Sequence, residues 1–585
     1  MADNPPGTHA AAPRLFGPRD ALAAAALVAL LFTFYYRAIH GEQVFDDDRL
    51  MTMPDLRSLH GLWRIWFSPP RDFSYYPLMH SAMWVEYRLW GEDTRCYHLM
   101  NLFQHAGVAL LLVAVMRRLA LPGAWLAAFV FALHPVNVET VAWISEQKNT
   151  LSTLFFMASA FVWLNFEDKR LRWYPLASLL FLCALLSKTT AGTLPAVLLV
   201  IGWWRKGRID WKRDAAPLLP WFAAALAFGI YSGHIEKEGY DLLGSDFSLT
   251  PAQHFLLACR VPWFYLGKFF WPTGLMFNYP RWEISVSSWW QWLFPAGLVV
   301  TGAALCLLAR RNRAPLAAFL FYTGNLVPVM GLFYVNWFRF SFVADHFFYV
   351  PGLGLIVPLA SALAWAAGKY GGEAVRWTVP VATAVFALIL GRMTQRQCRM
   401  YQDMDVFYQQ MITDNPDSGM AHFNYGLVLI REPGRVMDAL DQMHEALDLR
   451  PRDVMIKDRI AQIFIDMGRV DDAITSLQES VKIDPDDAFA HYLLGGALAR
   501  SPEHIDEAIA NLEASVRLKP DEAQSHFTLG ALLMGKPGRI ADAVTQFQAA
   551  LRLKPDMLEA HYMLGNAFMA MPGHAQEAAE QYQDA

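Results

Sequence analysis

Three adjacent carboxylates, Asp46, Asp47 and Asp48, stand a few residues beyond the first apolar stretch of this chain. Carboxylates this close repel one another and anchor poorly at a lipid surface, so the triplet points to the acidic core of a site at a membrane face. A helix N-cap ahead of Leu50, or a solvated acidic turn, would need one Asp and not three. More polar residues gather at the ends of later apolar runs. His98, Asn101 and His105 are spaced i, i+3 and i+7 and share one helical face, whereas a lone histidine there would be an ordinary hydrogen-bonded core residue. The stretch His134-Pro135-Val136-Asn137-Val138-Glu139-Thr140 ends another run, and Glu146, Lys148 and Asn149 follow at once. Glu139 at the membrane is costly unless paired, and Lys148 is the nearest basic candidate. Asp345 and His346 open a further run close behind Arg339. That these clusters gather on the side that carries the triplet supports one site more than any single motif does.

The elements that must position these residues are membrane helices. Of 585 residues, 55% are hydrophobic, with 21 Trp and 39 Phe and a mean hydropathy of +0.21, more apolar than soluble cores require. Up to residue 395 the chain is a series of apolar runs, each roughly 15 to 21 residues and about long enough to cross a ~30 Å hydrocarbon layer. The spans read as 20–39, 97–116, 121–141, 150–166, 172–187, 190–204, 215–231, 288–308, 314–334, 346–366 and 374–391, about eleven crossings. The first has no small-residue cleavage site behind a short apolar core, which makes it a retained anchor.

Basic residues favour cytoplasmic loops, and Arg14 with Arg19, Arg117 with Arg118, Lys169 with Arg170 and Arg172, the run Arg205 to Arg213, and Arg310 with Arg311 and Arg313 fall at alternate span ends. Residues 1–19 then form a cytoplasmic tail. The stretch 254–271, with Arg260, Lys268, Pro262 and Pro272, reads as an interfacial or re-entrant helix and not a crossing. The odd total puts loop 40–95, every polar cluster above and all residues after 392 outside, although Arg392, Arg396 and Arg399 would favour the inside. Loop 40–95 mixes Trp63, Trp66, Trp84 and Trp90 with Arg57, Arg64, Arg71 and Arg88, as helices lying in the interface plane do. A net charge of −5 gives no ground for nucleic-acid binding, and five cysteines without metal or redox spacing argue against disulfides and structural zinc.

The tail differs in kind. Prolines at 416, 451, 485, 520 and 555 are separated by 35, 34, 35 and 35 residues, and small residues recur in register at Gly426, Ala461, Gly495, Gly530 and Gly565 and at Ala439, Ala473, Ala508, Ala543 and Ala578. These are the close-packing points of a helix-turn-helix array resembling the tetratricopeptide repeat. It covers 416–585 in about five units, the last stopping before its second helix is complete, and joins the membrane domain 20–395 through a linker helix at 396–415. The concave groove of such an array suits an extended peptide or a partner protein.

The strings Phe45-Asp46-Asp47-Asp48, Tyr76-Pro77-Leu78, Tyr97-His98-Leu99-Met100-Asn101 with His105, His134 to Asn149 and Phe340 to Pro351, followed by the repeats, together resemble the transmembrane and tetratricopeptide repeat protein O-mannosyltransferases and their bacterial relatives. The resemblance spans nearly the whole chain. It implies an all-α fold, a polytopic bundle of the GT-C glycosyltransferase type followed by a tetratricopeptide-repeat α-solenoid. It also implies inverting transfer of mannose or another hexose from a polyprenyl-phosphate carrier to a protein Ser or Thr hydroxyl on the non-cytoplasmic face. The expected base lies in the first outer loop, at Asp46 or Asp47 with Asp48 adjoining. Tyr76, His98, Asn101, His105, His134, Glu139, Glu146, Lys148, Arg339, Asp345 and His346 are the candidate substrate-binding residues. The leaving phosphate needs cations or hydrogen-bond donors, for which Lys148, Arg339 and His346 are candidates. Relatives carry Arg where His346 stands, and an imidazole is largely neutral at pH 7, which shifts the expected contact toward Arg339.

Beyond the lipid-linked sugar no cofactor is implied; Mg²⁺ would suit the carboxylates, but relatives of this kind are expected to work without it. The expected partners are the polyprenyl-phosphate-linked sugar, a protein in the repeat groove and the bilayer, and the topology suits a bacterial inner membrane with loop 40–95 and the repeats in the periplasm. Two other classes compete. A non-enzymatic membrane-anchored scaffold for assembly of a cell-envelope complex would need only the repeats on an anchor. A transporter would spread ionisable residues through the membrane depth, whereas these gather on one face.

Overall fold

The structure is a computed structural model and describes residues 17–47, 56–68, 75–165, 170–240, 249–332, 336–371 and 375–585; Asp48 of the triplet and most of the N-terminal tail lie outside them. Among the described residues every regular element is helical. The chain forms two compact units, Met1–Pro416 and Asp417–Ala585.

The first unit opens with α1 (Pro18–Phe34), α2 (Leu59–Phe67), α3 (Pro77–Trp90), α4 (Thr94–Arg118), α5 (Ala124–Leu133), α6 (Val138–Ala142), α7 (Gln147–Asn165), α8 (Arg170–Ser187) and α9 (Leu194–Lys206). It continues with α10 (Leu219–Tyr240), α11 (Pro251–Phe270), α12 (Leu293–Leu308), α13 (Ala314–Leu326), α14 (Leu353–Tyr370), α15 (Val375–Gln397) and α16 (Met404–Asp414). Helix α7 packs along both α4 and α8. Pro18 starts α1, and Asp20 in its first turn takes two bonds from Arg117 at the end of α4 and one from Trp125, which fixes the entry of the chain.

Four segments are long and apolar enough to cross a membrane: Thr94–Arg118, Trp211–Ile235, Trp289–Leu308 and Leu353–Tyr370. The pair Ala124–Leu133 and Pro135–Ala142, bent by 55°, adds a fifth if it counts as one span. By length and composition the described helices thus give four or five spans beside the eleven apolar runs of the sequence. Run 190–204 becomes a 13-residue helix, run 20–39 ends its first helix at Phe34, and α7 opens on polar residues. Pro135 is the reason for the bend: it has no N–H to give to α5, and His134 Nδ1 instead accepts the Val136 N–H at 3.3 Å. Stretch 254–271 makes up most of the 20-residue α11 and its C-cap Trp271, and Arg260 lies 4.0 Å over the ring of Trp282. The segment 396–415 comprises the end of α15, a 3₁₀ turn Cys398–Tyr401 and α16.

The second unit is a stack of five helix pairs: Gly419–Leu429 with Val436–Leu449, Val454–Asp466 with Val470–Ile483, Ala488–Leu498 with Ile505–Leu518, Ala523–Met534 with Ile540–Leu553, and Leu558–Met569 with Ala575–Asp584. The small residues of the period sit where paired helices touch. A Cβ on Gly495 would lie 2.7 Å from Leu512 Cγ, and one on Gly530 would lie 2.8 Å from Phe547 Cε1. A second period, absent from the sequence reading, ties each pair together. His422, His491, His526 and His561 each reach a Gln or Asn twenty residues on at 2.7 to 2.9 Å, and Lys457 meets Glu479 at 2.7 Å in the remaining unit. Because Phe547 is wholly buried and cannot move aside freely, Gly530→Ala is expected to cost about 1–3 kcal/mol. A thermal melt of the full chain followed by the repeat unit's hydrogen exchange checks it.

Candidate active site

A tight turn holds the first carboxylates. Val44 N–H donates to Asp47 Oδ2 at 3.0 Å, and Asp47 N–H returns to the Val44 carbonyl at 3.1 Å. Closing that turn puts Phe45 at φ +57°, a left-handed conformation that costs a non-glycine residue about 1–2 kcal/mol and turns its ring toward Trp143, Phe277 and Trp337. The other side of the site comes from the segment after the Pro135 bend. Ser145 N–H donates to Asp47 Oδ1 at 2.8 Å, and the Ser145 hydroxyl lies 2.6 Å from Asp47 Oδ1 and 2.9 Å from Asp46 Oδ1. Asp47 is thus fully buried and committed to three donors, whereas Asp46 is half-buried and touches Ser145 through one oxygen. Burial, with Asp46 next to it, pushes Asp47 up to about 7, and burial raises Asp46 as well, with Lys148 and Ser145 opposing.

From this pair a chain of charges runs inward. Lys148 Nζ is 2.6 Å from Glu146 Oε1 and 5.0 Å over the Trp143 ring, and Lys188 Nζ is 3.6 Å from Glu146 Oε2. Burial opposes the charge on Glu146, but His346, Lys148 and Lys188 together hold its carboxyl down to about 2. Asn149 donates to Glu146 and to the His346 carbonyl. His346 Nδ1 lies 2.8 Å from Glu139 Oε1, its backbone N–H donates to Glu139 Oε2 at 3.1 Å, and Nε2 faces Glu146 Oε1 at 3.8 Å. Glu139 is therefore paired with His346 and not with Lys148. Both nitrogens of His346 face carboxylates, which makes it a bridge between Glu139 and Glu146 more than a phosphate ligand. Asp345, pushed by burial up to about 7, accepts from the Tyr279 hydroxyl at 2.8 Å.

The remaining candidates are placed differently. Asn101 donates to the carbonyls of Trp143 at 3.1 Å and Ile144 at 3.4 Å, so it steadies the segment that carries Ser145 and Glu146. His98 is buried beside Gly41. His105 bonds the Tyr349 hydroxyl at 2.6 Å and the Ala132 carbonyl at 3.1 Å, and His134 reaches the Phe269 carbonyl at 3.1 Å; both are ties between helices, away from the carboxylate pair. The polar stripe read at i, i+3 and i+7 is therefore internal packing at its far end, because Phe131 and Tyr349 close over His105. Tyr76 caps α3 and packs with Met79, Met83, Tyr97 and Ile144. Arg339 ends a short 3₁₀ turn, 5.8 Å from the Phe340 ring, and Trp337 of that turn completes the aromatic wall. Among the described residues no three His, Cys, Asp or Glu side chains are grouped to hold a metal ion.

Lys188 and Ser145 escaped the sequence reading. Lys188 had a signal, a lysine in the short turn between two apolar runs on the face of the triplet; Ser145 had none, since its role depends on the fold bringing it to Asp47.

Family models for the tetratricopeptide repeat match residues 461–501 and 531–585. The human protein O-mannosyl-transferase TMTC1 is 25% identical over 510 residues, covering 74% of this chain and 56% of the relative, so the chain spans little more than half of that protein. Human protein O-mannosyl-transferase TMTC4 is 30% identical over 151 residues, covering 21% of this chain and 20% of the relative. Among solved structures, YrrB, described as a TPR protein with an unusual peptide-binding site, is 19% identical at a TM-score of 0.27 and covers 30% of this chain and 91% of its own. MamA from Desulfovibrio magneticus RS-1 is 22% identical at a TM-score of 0.26, covering 28% and 91%. By similarity across 74% of its length, and by the tetratricopeptide repeats that follow its apolar helices, this chain is a relative of the protein O-mannosyl-transferases.

Proposed function

We propose that the chain is a GT-C-type membrane glycosyltransferase of about eleven crossings. It moves mannose or another hexose from a polyprenyl-phosphate carrier to a protein Ser or Thr hydroxyl, with inversion, on the non-cytoplasmic face. In a bacterial cell that face is the periplasm, and the repeats bind the protein acceptor. The observation that carries the reading is the unequal pair: Asp47 is spent on Val44 and Ser145, while Asp46 beside it keeps one oxygen outside the Ser145 bond. Asp46 takes the proton of the acceptor hydroxyl as its oxygen attacks the anomeric carbon. The bond from that carbon to the phosphate oxygen breaks on the opposite face, and the lipid phosphate leaves with the electron pair. One base and no covalent enzyme intermediate give inversion. Lys148, already drawn toward Asp46 and Glu146, offsets the charge that builds on the phosphate.

The aromatic wall supports a sugar at this place. The indole N–H groups of Trp143 and Trp337 have no acceptor among the described residues and are donors for sugar hydroxyls, and the ring faces suit the apolar side of a hexose. The base must be ionised to act. Burial raises Asp46 above the ordinary carboxylate range, so activity is full above that raised pKa and falls as the pH drops through it. Measuring kcat/KM for an acceptor peptide from about pH 5 to about pH 9 checks it; a flat profile removes the carboxylate pair as base. Mass spectrometry of outer-face proteins and lipid-linked sugars, with and without the gene product, tests the reaction class.

A further inference from the structure

The linker that leads toward the repeats is built into the candidate site. Asp403 caps its helix α16 by accepting from Val406 N–H at 2.7 Å, and the helix buries Phe407, Tyr408 and Met411 while Gln409 and Gln410 stay exposed. The buried face meets the aromatic wall. Phe407 is wholly buried, and its ring lies 4.7 Å from that of Phe277 at 73°, edge to face. Phe277 in turn touches each of the other three rings of the wall, Phe45 at 5.2 Å, Trp143 at 4.9 Å and Trp337 at 5.3 Å. Asn415, which ends α16, donates to the Asn278 carbonyl at 3.1 Å and so fixes the backbone next to Phe277. The turn before α16 holds the stretch ahead of the carboxylates. Glu42 N–H donates to the Gln402 carbonyl at 2.9 Å. A Cβ on Gly41 would collide with the Tyr401 carbonyl oxygen, so only glycine lets the two backbones approach this closely.

We propose that the linker 396–415 is a working part of the transfer site, with Phe407 as a positioning residue for the aromatic wall and the Tyr401–Gln402 backbone as the support of the turn that carries Asp46 and Asp47. Neither touches the reactants. Phe407 acts through Phe277 on Trp143 and Trp337, and a wall ring that shifts takes its contacts with the sugar along. The Gln402 carbonyl acts through Glu42 on the Val44–Asp47 turn, where a misplacement of about 1 Å costs about 10²-fold in rate. The chain passes into the repeat unit at Asp417, two residues beyond Asn415, so the attachment of the repeats and the shape of the site depend on one helix. This deepens the transfer reading and rests on it for what the wall and the carboxylate pair do.

The test uses the full chain in lipid nanodiscs. It measures transfer from mannosyl and glucosyl polyprenyl phosphate to an acceptor peptide, and hydrogen exchange in the segments 41–47 and 143–147. Phe407→Leu keeps most of the buried volume and removes the ring. It is expected to raise KM for the lipid-linked sugar by about fivefold or more with kcat within about twofold, the mark of lost binding shared by ground and transition state. KM does not depend on how much of the protein folds, so a merely structural Phe407 leaves it unmoved. Asn415→Ala frees the Asn278 carbonyl with the rings in place and moves the same KM in the same direction, which serves where Phe407→Leu does not fold. Gly41→Ala is expected to lower turnover per folded molecule by about tenfold or more with that KM unchanged. Exchange is expected to quicken at 143–147 in Phe407→Leu and at 41–47 in Gly41→Ala, with the repeats at wild-type protection. Wild-type KM and exchange in both Phe407→Leu and Asn415→Ala overturn the support of the wall, and wild-type turnover and exchange in Gly41→Ala overturn that of the turn. Quickened exchange at unchanged kinetics makes the linker packing alone and overturns the proposal. Quickened exchange in these variants of a protein whose wild type transfers neither hexose refutes the transfer reading and leaves the positioning of wall and turn standing.

Discussion

Asp46→Asn is expected to lower sugar transfer by about 10²–10⁴-fold while the protein inserts, folds and binds its donor as before. An amide keeps the size of the side chain and its bond to the Ser145 hydroxyl but cannot accept a proton at the pH of the reaction. Asp47→Asn behaves differently, because Asp47 accepts from Val44 N–H, Ser145 N–H and the Ser145 hydroxyl with no room for a donor. An amide nitrogen there faces another N–H or O–H, and the expected result is about 1–3 kcal/mol of lost stability with activity falling in proportion to the folded fraction. Turnover per folded molecule, normalised by a thermal melt, distinguishes the two. Full turnover in Asp46→Asn would exclude it as the base, and equal loss in both at unchanged stability would make the pair a single catalytic unit.

Glu146→Gln has the largest expected effect on stability. Removing this carboxylate leaves Lys148 and Lys188 buried side by side and takes away the partner of His346 Nε2 as well. Breaking a buried ion pair by deleting one member costs about 3–5 kcal/mol, and here two cations lose their partner at once. The melting temperature in detergent is expected to drop accordingly, and Lys148→Met added to Glu146→Gln to restore part of the loss, since it removes one of the stranded charges. A single variant that melts with the wild type would mean that the two ammonium groups are solvated or deprotonated in the folded protein.

The repeat unit was legible in the sequence to the level of single residues. Gly426, Gly495, Gly530 and Gly565 recur because a Cβ on each would lie within about 3 Å of a side chain of its partner helix, and a local helix pair repeats its contacts at a constant spacing. The membrane unit was legible only in part. Apolar runs mark residues that avoid water, but they do not distinguish a straight crossing from a helix broken at Pro135 or ended at Phe34, and among the described residues four or five segments are long and apolar enough to cross. The carboxylate pair, Glu146, Lys148 and the Glu139–His346 neighbourhood were all visible as residue types. Their pairing was not: Glu139 went to Lys148 by proximity in the chain, whereas the folded protein gives it His346, 207 residues away.

The sequence by itself determined that this chain has a membrane-embedded part and a repeat part, that its ionisable residues gather at one set of helix ends, and that an acidic cluster stands in the first loop. Each of these follows from local composition and spacing, which act over one helix at a time. The choice between Asp46 and Asp47 needed Ser145, about a hundred residues further on, and the aromatic wall needed Phe407 of the linker helix to reach Phe277. Those are long-range contacts. They arise when helices pack, because the free energy of a buried charge depends on which partner lies within about 4 Å of it, and no run of sequence records that distance.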